Sequence, residues 1–145
     1  MATLDIQSKL VVALKTIIAA NTYINANGVT VKESYDQSVD RGQKAAIINV
    51  DPARKLQPNY QLYESQCEIV AASYIDDDKN GGIAKMIHKN VAGEVAALTP
   101  AILNAQLSGL QVDGVVAMDE SGEQGEGDDY RGKTIKFKIY SHQTA

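Results

Sequence analysis

Apolar residues recur at steps of three and four in two stretches of the chain, and this spacing predicts two amphipathic helices. The first is predicted from about Leu4 to Ala20 and the second from about Gly82 to Leu98. The apolar positions that define them are Ile6, Leu10, Val11, Leu14, Ile17 and Ile18 in the first stretch and Ile83, Met86, Ile87, Val91, Val95 and Leu98 in the second. Each stripe is expected to cover a hydrophobic core.

A third, shorter helix is predicted from Pro100 to about Leu107. Thr99 suits the N-cap, and proline suits the first helical position because the N–H group that it lacks has no partner there. Gly109 lies just beyond the expected end, where a glycine commonly terminates a helix.

Strands are predicted where β-branched residues, apolar runs or strict alternation follow a turn signal. Val29–Val31 follows the turn sequence Asn27-Gly28, and Ala45–Val50 is an apolar run that stops at Asp51-Pro52. Tyr60–Ile75 is the longest segment with strand composition. Proline ends a strand because it has no N–H to donate to the neighbouring strand.

Two further strands are predicted near the end of the sequence, at Val112–Met118 and Thr134–Tyr140. The second has the clearest alternation in the chain, with Ile135, Phe137 and Ile139 interleaved with Lys136 and Lys138. Such a period of two indicates a strand with one buried face and one wet face.

Three polar segments are predicted to be long loops, namely Lys32–Lys44, Ala53–Asn59 and Asp119–Gly132. The last contains the acidic run Asp119–Asp129 and several glycines, so it has little apolar surface to offset the entropy of ordering. We expect it to be mobile.

These elements predict one α+β domain over residues 1–145, with two main helices packed on one face of a mainly antiparallel sheet and long polar loops. The stripes expected on the sheet are Ile6, Leu10, Leu14 and Ile17 from the first helix and Ile83, Ile87, Val91 and Val95 from the second. Hydrophobic residues make up 44% and charged residues 22% of the chain, which is ordinary globular usage and can supply one core.

The net charge, the spacing of charged residues and the cysteine content indicate which partners and cellular locations are not expected. A formal net charge of -4 gives no overall basic field, so nucleic acid is not expected as a main partner. Asp5, Lys9 and Lys15 interrupt the apolar residues of the first predicted helix, so we do not expect it to be an export signal. No apolar run approaches the roughly 20 residues of a membrane helix, so we expect no membrane span. Cys67 is the only cysteine, which predicts a buried thiol in a reducing compartment.

The segment Asp76-Asp77-Asp78-Lys79-Asn80-Gly81 has the first positions of a calcium loop of the EF-hand type. Asp76, Asp78 and Asn80 would supply oxygen ligands at the first, third and fifth positions. The twelfth position is Ile87 instead of a glutamate, and a strand is predicted before the loop instead of a helix. The pattern therefore favours a solvated turn at a helix start over a metal site.

The sequence matches no other catalytic or cofactor pattern. His88 and His142 are the only histidines, which excludes a multi-histidine metal site within one chain. Gly125-Glu126-Gly127 precedes no predicted helix, and neither a Gly-x-Ser-x-Gly elbow nor a phosphate-binding Walker loop is present. We expect no cofactor and no enzymatic activity, and we expect the acidic run to be a solvated loop.

The order of the predicted elements resembles the tail terminator and tail-completion (head-tail joining) proteins of tailed bacteriophages. The segments that carry the resemblance are the helix Leu4–Ala20, the strands Ala45–Pro52 and Tyr60–Ile75, the helix Gly82–Leu98 and the strand Ile135–Tyr140. The resemblance implies a sheet with helices packed on it and a homo-oligomeric ring, usually of six subunits, that caps the tail tube. It implies no catalytic residues.

The partners implied by the resemblance are further copies of the chain, the tail tube protein and a neck or connector protein. The implied location is the host cytoplasm during assembly and then the tail or neck of the virion. Val29–Val31 or Ile135–Tyr140 could serve as an edge strand that pairs across the ring interface. The acidic run and the helix after Pro100 do not match the family pattern, which leaves open a neck connector of similar fold. A small calcium- or ligand-binding module and an uncharacterised enzyme are the competing classes.

Overall fold

The computed structural model describes residues 2–33, 44–57, 60–74, 82–117, 124–126 and 130–143. These residues form an α+β fold, as the sequence predicts, with a mixed sheet. The helices are α1 (Ala2–Ala19), α2 (Thr22–Ala26), α3 (Gly82–Ala96) and α4 (Pro100–Asn104). The strands are β1 (Thr30–Glu33), β2 (Lys44–Val50), β3 (Arg54–Gln57), β4 (Tyr60–Tyr74), β5 (Leu110–Ala117), β6 (Gln124–Glu126) and β7 (Tyr130–Gln143).

The strands of the described residues pair in the order β1-β2-β4-β7-β5. β3 continues beyond β2 along the same side of β4, and β6 pairs with β7 on the side where β5 lies. Every pair is antiparallel except β1 with β2. The suggestion that Ile135–Tyr140 could be an edge strand is wrong, because β7 has neighbours on both sides. β1, which contains most of Val29–Val31, does lie at an edge.

One hydrophobic cluster joins helix residues with one face of the sheet. Strand residues that belong to it include Ile48, Ile69 and Phe137, which are fully buried on neighbouring strands. Helix residues in the same cluster are Ile6, Leu10, Leu14 and Ile18 of α1 and Ile87, Val91 and Val95 of α3. Ile17 and Ile83, which were expected in these stripes, are only partly buried at the margin of the cluster.

The short helix α2 is absent from the sequence prediction because five residues are too few to show a period. Asn21, which follows α1, has two roles. Its N–H donates to the Ile18 carbonyl at 3.0 Å, and its side-chain Oδ1 accepts from the Ile24 N–H at 3.1 Å as the N-cap of α2. Ile24 is buried, and Gly28 then takes a φ of 65°, a backbone conformation that favours glycine, before β1 begins.

The helix predicted at Pro100 is confirmed, with Thr99 as its N-cap: the Thr99 hydroxyl oxygen accepts from the Ile102 N–H at 3.3 Å. α4 ends at Asn104, three residues earlier than the prediction, and Gly109 has a φ of 74° before β5. The early end leaves the Asn104 side chain free to bond β5.

Two of the predicted loops contain strands. β3 lies within the predicted loop Ala53–Asn59, and β6 and the start of β7 lie within Asp119–Gly132. Both predictions were wrong because β3 and β6 have no hydrophobic period of their own and form by pairing with β4 and β7. In the predicted loop Lys32–Lys44, residues 34–43 lie outside the described part of the chain. Among the described residues, no helix is long and apolar enough to cross a membrane.

Candidate interaction surface

The face of the sheet opposite the main hydrophobic cluster is lined with charged and polar residues at its centre. Cys67 and Ile69 of β4 and Phe137 of β7 point into the core. Because successive side chains of a strand point to opposite faces, the residues next to these three in sequence point away from the core. We call the outward residues of the central strands the outer face: Asn49 of β2, Glu64, Gln66 and Glu68 of β4, and Lys136, Lys138 and Tyr140 of β7. The β4 column is acidic and polar, and the β7 column beside it is basic.

The register of β4 and β7 fixes which outer-face residues are neighbours. Glu64 lies opposite Tyr140, Gln66 opposite Lys138, and Glu68 opposite Lys136. Directly opposed side chains on one face of an antiparallel pair are close enough to interact, and opposite charges there stabilise the pair. The sheet therefore brings an acidic and a basic column together from segments that are far apart in sequence.

Glu64 forms a closed polar cluster at one end of the outer face. Its side chain is 8% exposed. Its Oε1 accepts from Arg54 Nη2 at 3.1 Å, and its Oε2 accepts from the Tyr140 hydroxyl at 3.1 Å. The hydrogen bond that the Tyr140 phenol donates to Glu64 raises the pKa of Tyr140, and desolvation and the negative charge of Glu64 act in the same direction. Arg54 opposes them by stabilising the phenolate. These partners compensate the burial of the carboxylate.

The centre of the outer face differs, because its charged groups have no partner within the described residues. Glu68, Lys136 and Lys138 form no side-chain hydrogen bond or ion pair there. Gln66 and Lys136 are exposed at this part of the sheet. A shallow cavity of about 290 Å³ opens at this place and is lined by Asn49, Asp51, Gln66, Cys67, Glu68 and Lys136.

The other end of the same sheet face is apolar. Ala45, Ile47 and Ala72 are buried there and form a second, small hydrophobic cluster. Val70 and Tyr74 pack against it and are partly buried. The face therefore changes along its strands from an apolar end, through a centre of unpaired charges, to the closed Glu64 cluster.

Cys67 lies beneath the cavity as a free, buried cysteine, as predicted. Burial raises the pKa of its thiol, and the negative charge of Asp51 raises it further. The Sγ atom donates to the Ser65 carbonyl oxygen at 3.8 Å. A thiol held in the protonated form is a poor nucleophile, so this cysteine is suited to packing.

The two histidines lie on different elements. His142 lies within β7, and its Nδ1 is 2.7 Å from Asp113 Oδ2 of β5. Both side chains are partly exposed. His88 is half-buried on α3. The pairing of β5 with β7 brings His142 to a carboxylate that no local sequence pattern predicts.

The predicted calcium ligands Asp76, Asp78 and Asn80 lie outside the described residues, as does the acidic run Asp119–Asp129 apart from β6. Ile87, at the twelfth position of that pattern, is fully buried in the core. In the described part of the chain, no three His, Cys, Asp or Glu side chains are grouped closely enough to hold a metal ion.

No protein-family model matches the chain, and no curated protein sequence matches it.

The clusters on the outer face were missed at the level of sequence, although their residues lie in predicted strands. Alternation separates Lys136 and Lys138 from the buried residues of β7, but it does not tell which strand lies beside them. Arg54 was assigned to a loop. Only the pairing of β3, β4 and β7 brings Arg54, Glu64 and Tyr140 together.

Proposed function

We propose that this chain is a structural subunit of a bacteriophage tail, with no enzymatic role, that assembles into a closed homo-oligomeric ring, most simply a hexamer. In this proposal the ring caps the tail tube and joins the tail to the neck or head. Its partners are the tail tube protein on one side and a neck protein on the other. The subunit architecture is two main helices packed on one face of a mainly antiparallel sheet. It is located in the host cytoplasm during assembly and then in the virion.

The order of the secondary-structure elements carries the proposal. The five segments on which the resemblance to tail terminators rests correspond to α1, β2, β4, α3 and β7, each within a few residues of the predicted bounds. No short motif contributes. An order of elements is evidence about fold first, and the step from fold to function is an analogy.

The edges and faces of the sheet are compatible with ring assembly. A ring closes through head-to-tail contacts, in which two different surfaces of the subunit meet. β1 and β5 lie at opposite edges of the sheet and present different side chains to solvent. Two different edges and a polar outer face offer distinct surfaces for a neighbouring subunit, the tube and the neck.

Deletion of the gene from the phage genome that carries it tests this role. Electron microscopy of the lysate should show filled heads that are not joined to tails, together with tails of irregular or excessive length. The wild-type gene supplied from a plasmid should restore joined particles with tails of uniform length. The purified protein, viewed by negative stain at high concentration, should contain rings.

The outcomes of this experiment separate the neighbouring roles. Intact particles with normal tails would refute the proposal. Tails of normal length that stay unattached would instead identify a neck connector, because tail length would then be set without this protein. A chain that forms no ring alone can still form one on the tube, since ordering loops on assembly lowers the net interface energy. The deletion phenotype, and not ring formation by the purified chain, therefore decides whether the proposed role is correct.

A further inference from the structure

The charges at the centre of the outer face are sorted by strand. On β4 the outward charges are negative, at Glu64 and Glu68, and on β7 they are positive, at Lys136 and Lys138. Glu64 is satisfied within the chain, whereas Glu68, Lys136 and Lys138 have no partner among the described residues. One unpaired negative charge on β4, at Glu68, thus lies beside two unpaired positive charges on β7, of which Lys136 is exposed.

We propose that the outer face is a self-association surface, on which the outer face of a second copy of this chain packs about a two-fold axis parallel to β4 and β7. A two-fold contact uses the same patch on both subunits, so the patch must be complementary to itself. A negative residue on one strand beside a positive residue on the next, as at Glu68 and Lys136, meets this requirement. The inference goes beyond the ring proposal and does not depend on it.

The charge pattern selects the direction of the axis. Rotation about an axis that runs along the strands, midway between β4 and β7, places the β4 column of one copy over the β7 column of the other. Glu68 then faces Lys136 of the second copy, and Gln66 faces Lys138 of the second copy. An axis perpendicular to the strands would place β4 over β4, with acid against acid, which costs free energy.

The intrachain neighbours strengthen this arrangement. Glu68 and Lys136 are directly opposed in the β4–β7 register. In the dimer these two residues and their symmetry mates form a square of alternating charge, in which each carboxylate lies near two ammonium groups. Facing sheets pack about 10 Å apart, a gap that a glutamate and a lysine reaching towards each other can span. Exclusion of water from the square makes each attraction stronger than on the free surface.

Charge reversal tests the square, with sedimentation velocity of the purified full-length chain as the measurement. At the two facing positions, 68 and 136, Glu68→Lys leaves two positive charges and Lys136→Glu leaves two negative charges. Each variant alone should dissociate at concentrations where the wild type is paired, with a dissociation constant raised about tenfold or more, because like charges then face each other. Raising the salt concentration should weaken pairing of the wild type, since salt screens the attraction.

An equimolar mixture of the two variants is the decisive sample. In the mixed pair positions 68 and 136 are positive on one chain and negative on the other, so opposite charges face each other and the mass of the wild-type assembly should return. Within each variant chain positions 68 and 136 carry the same charge, and mixing does not change this. Mixing therefore cannot reverse an effect that arises only from repulsion inside one chain. Lys89→Glu, an equal charge change at an exposed position of α3, should leave the assembly unchanged. Recovery in the mixture also proves that both variants are folded.

Three results would overturn the inference. The first is a wild type that shows no pairing up to about millimolar concentration. The second is single variants that pair as the wild type does, and the third is a mixture that does not recover the wild-type mass. The ring proposal is tested by tail length in the deletion phage, and the self-association surface is tested by rescue in the purified mixture. The first proposal can therefore be refuted without affecting the second.

Discussion

Asn104 closes part of the outer edge of β5 by bonding both backbone groups of Val112. Its Oδ1 accepts from the Val112 N–H at 2.7 Å, and its Nδ2 donates to the Val112 carbonyl at 3.3 Å. The side-chain amide thus takes the place that a residue of a further strand would occupy. An edge strand with unpaired backbone groups is a template for uncontrolled pairing, and this cap restricts it.

Replacement of Asn104 with alanine should lower the free energy of unfolding by about 1–3 kcal/mol, because it leaves the backbone groups of a buried residue without partners. Urea denaturation measures the change. Asn90→Ala is the matched control, since the Asn90 amide only donates to Met86 within its own helix. That control should change stability by no more than about 0.5 kcal/mol, as is usual for surface positions. Equal losses at both positions would contradict the edge-capping role.

Stability at alkaline pH should depend on Tyr140. The hydrogen bond to Glu64 raises the pKa of Tyr140 above its ordinary value of 10.0. Above that pH the unfolded chain releases the phenol proton while the folded chain keeps it, so the folded state binds more protons and stability falls as pH rises. The contribution is fully present below pH 10.0 and is lost as the pH passes through the raised value.

The measurement is the free energy of unfolding in urea for the wild type and Tyr140→Phe, compared from neutral pH to pH 11. The wild type should lose more stability than Tyr140→Phe over the alkaline range. Glu64→Gln should reduce the difference as well, because it removes the charge that the phenolate would meet. If the free energy of unfolding falls in parallel with pH for the wild type and Tyr140→Phe, the pKa of Tyr140 is not raised in the folded state and the prediction is wrong.

The buried stripes of the two long helices should dominate stability. Leu14→Ala in α1 and Ile87→Ala in α3 should each cost about 2–5 kcal/mol, since both side chains are fully buried. Val12→Ala and Met86→Ala lie on the same helices at positions that are 58% and 42% exposed, and each should cost about 0.5 kcal/mol or less. Thermal or urea unfolding distinguishes the two groups. Similar losses in both would mean that the stripes do not face the core.

Calcium should bind weakly or not at all to Asp76, Asp78 and Asn80. A calcium loop of the EF-hand type needs a bidentate glutamate at its twelfth position, and here that position is Ile87, which is fully buried. Calorimetric titration of the purified chain checks this, with Asp78→Ala as the control. A dissociation constant at or below about a micromolar that is lost in Asp78→Ala would establish a sensor-like site and contradict the prediction.

Local sequence signals were sufficient wherever an element has a period or a cap of its own. The stripe through Leu10 and Leu14 predicts α1, the alternation around Phe137 predicts β7, and Thr99-Pro100 predicts the start of α4. Each signal arises within a few residues, because helix and strand periods and N-caps are properties of adjacent positions. The α+β class followed from the same patterns.

The tertiary structure alone decided the elements and sites that depend on distant partners. α2 is stabilised by burial of Ile24, and β3 and β6 form only against β4 and β7. The placement of Glu68 beside Lys136 follows from a register that pairs positions 68 residues apart (136 − 68). The sequence by itself determined, through its alternation, which residues of β7 face outward. It could not determine which strands are neighbours, because alternation carries no information about pairing, and pairing places the acidic column beside the basic one.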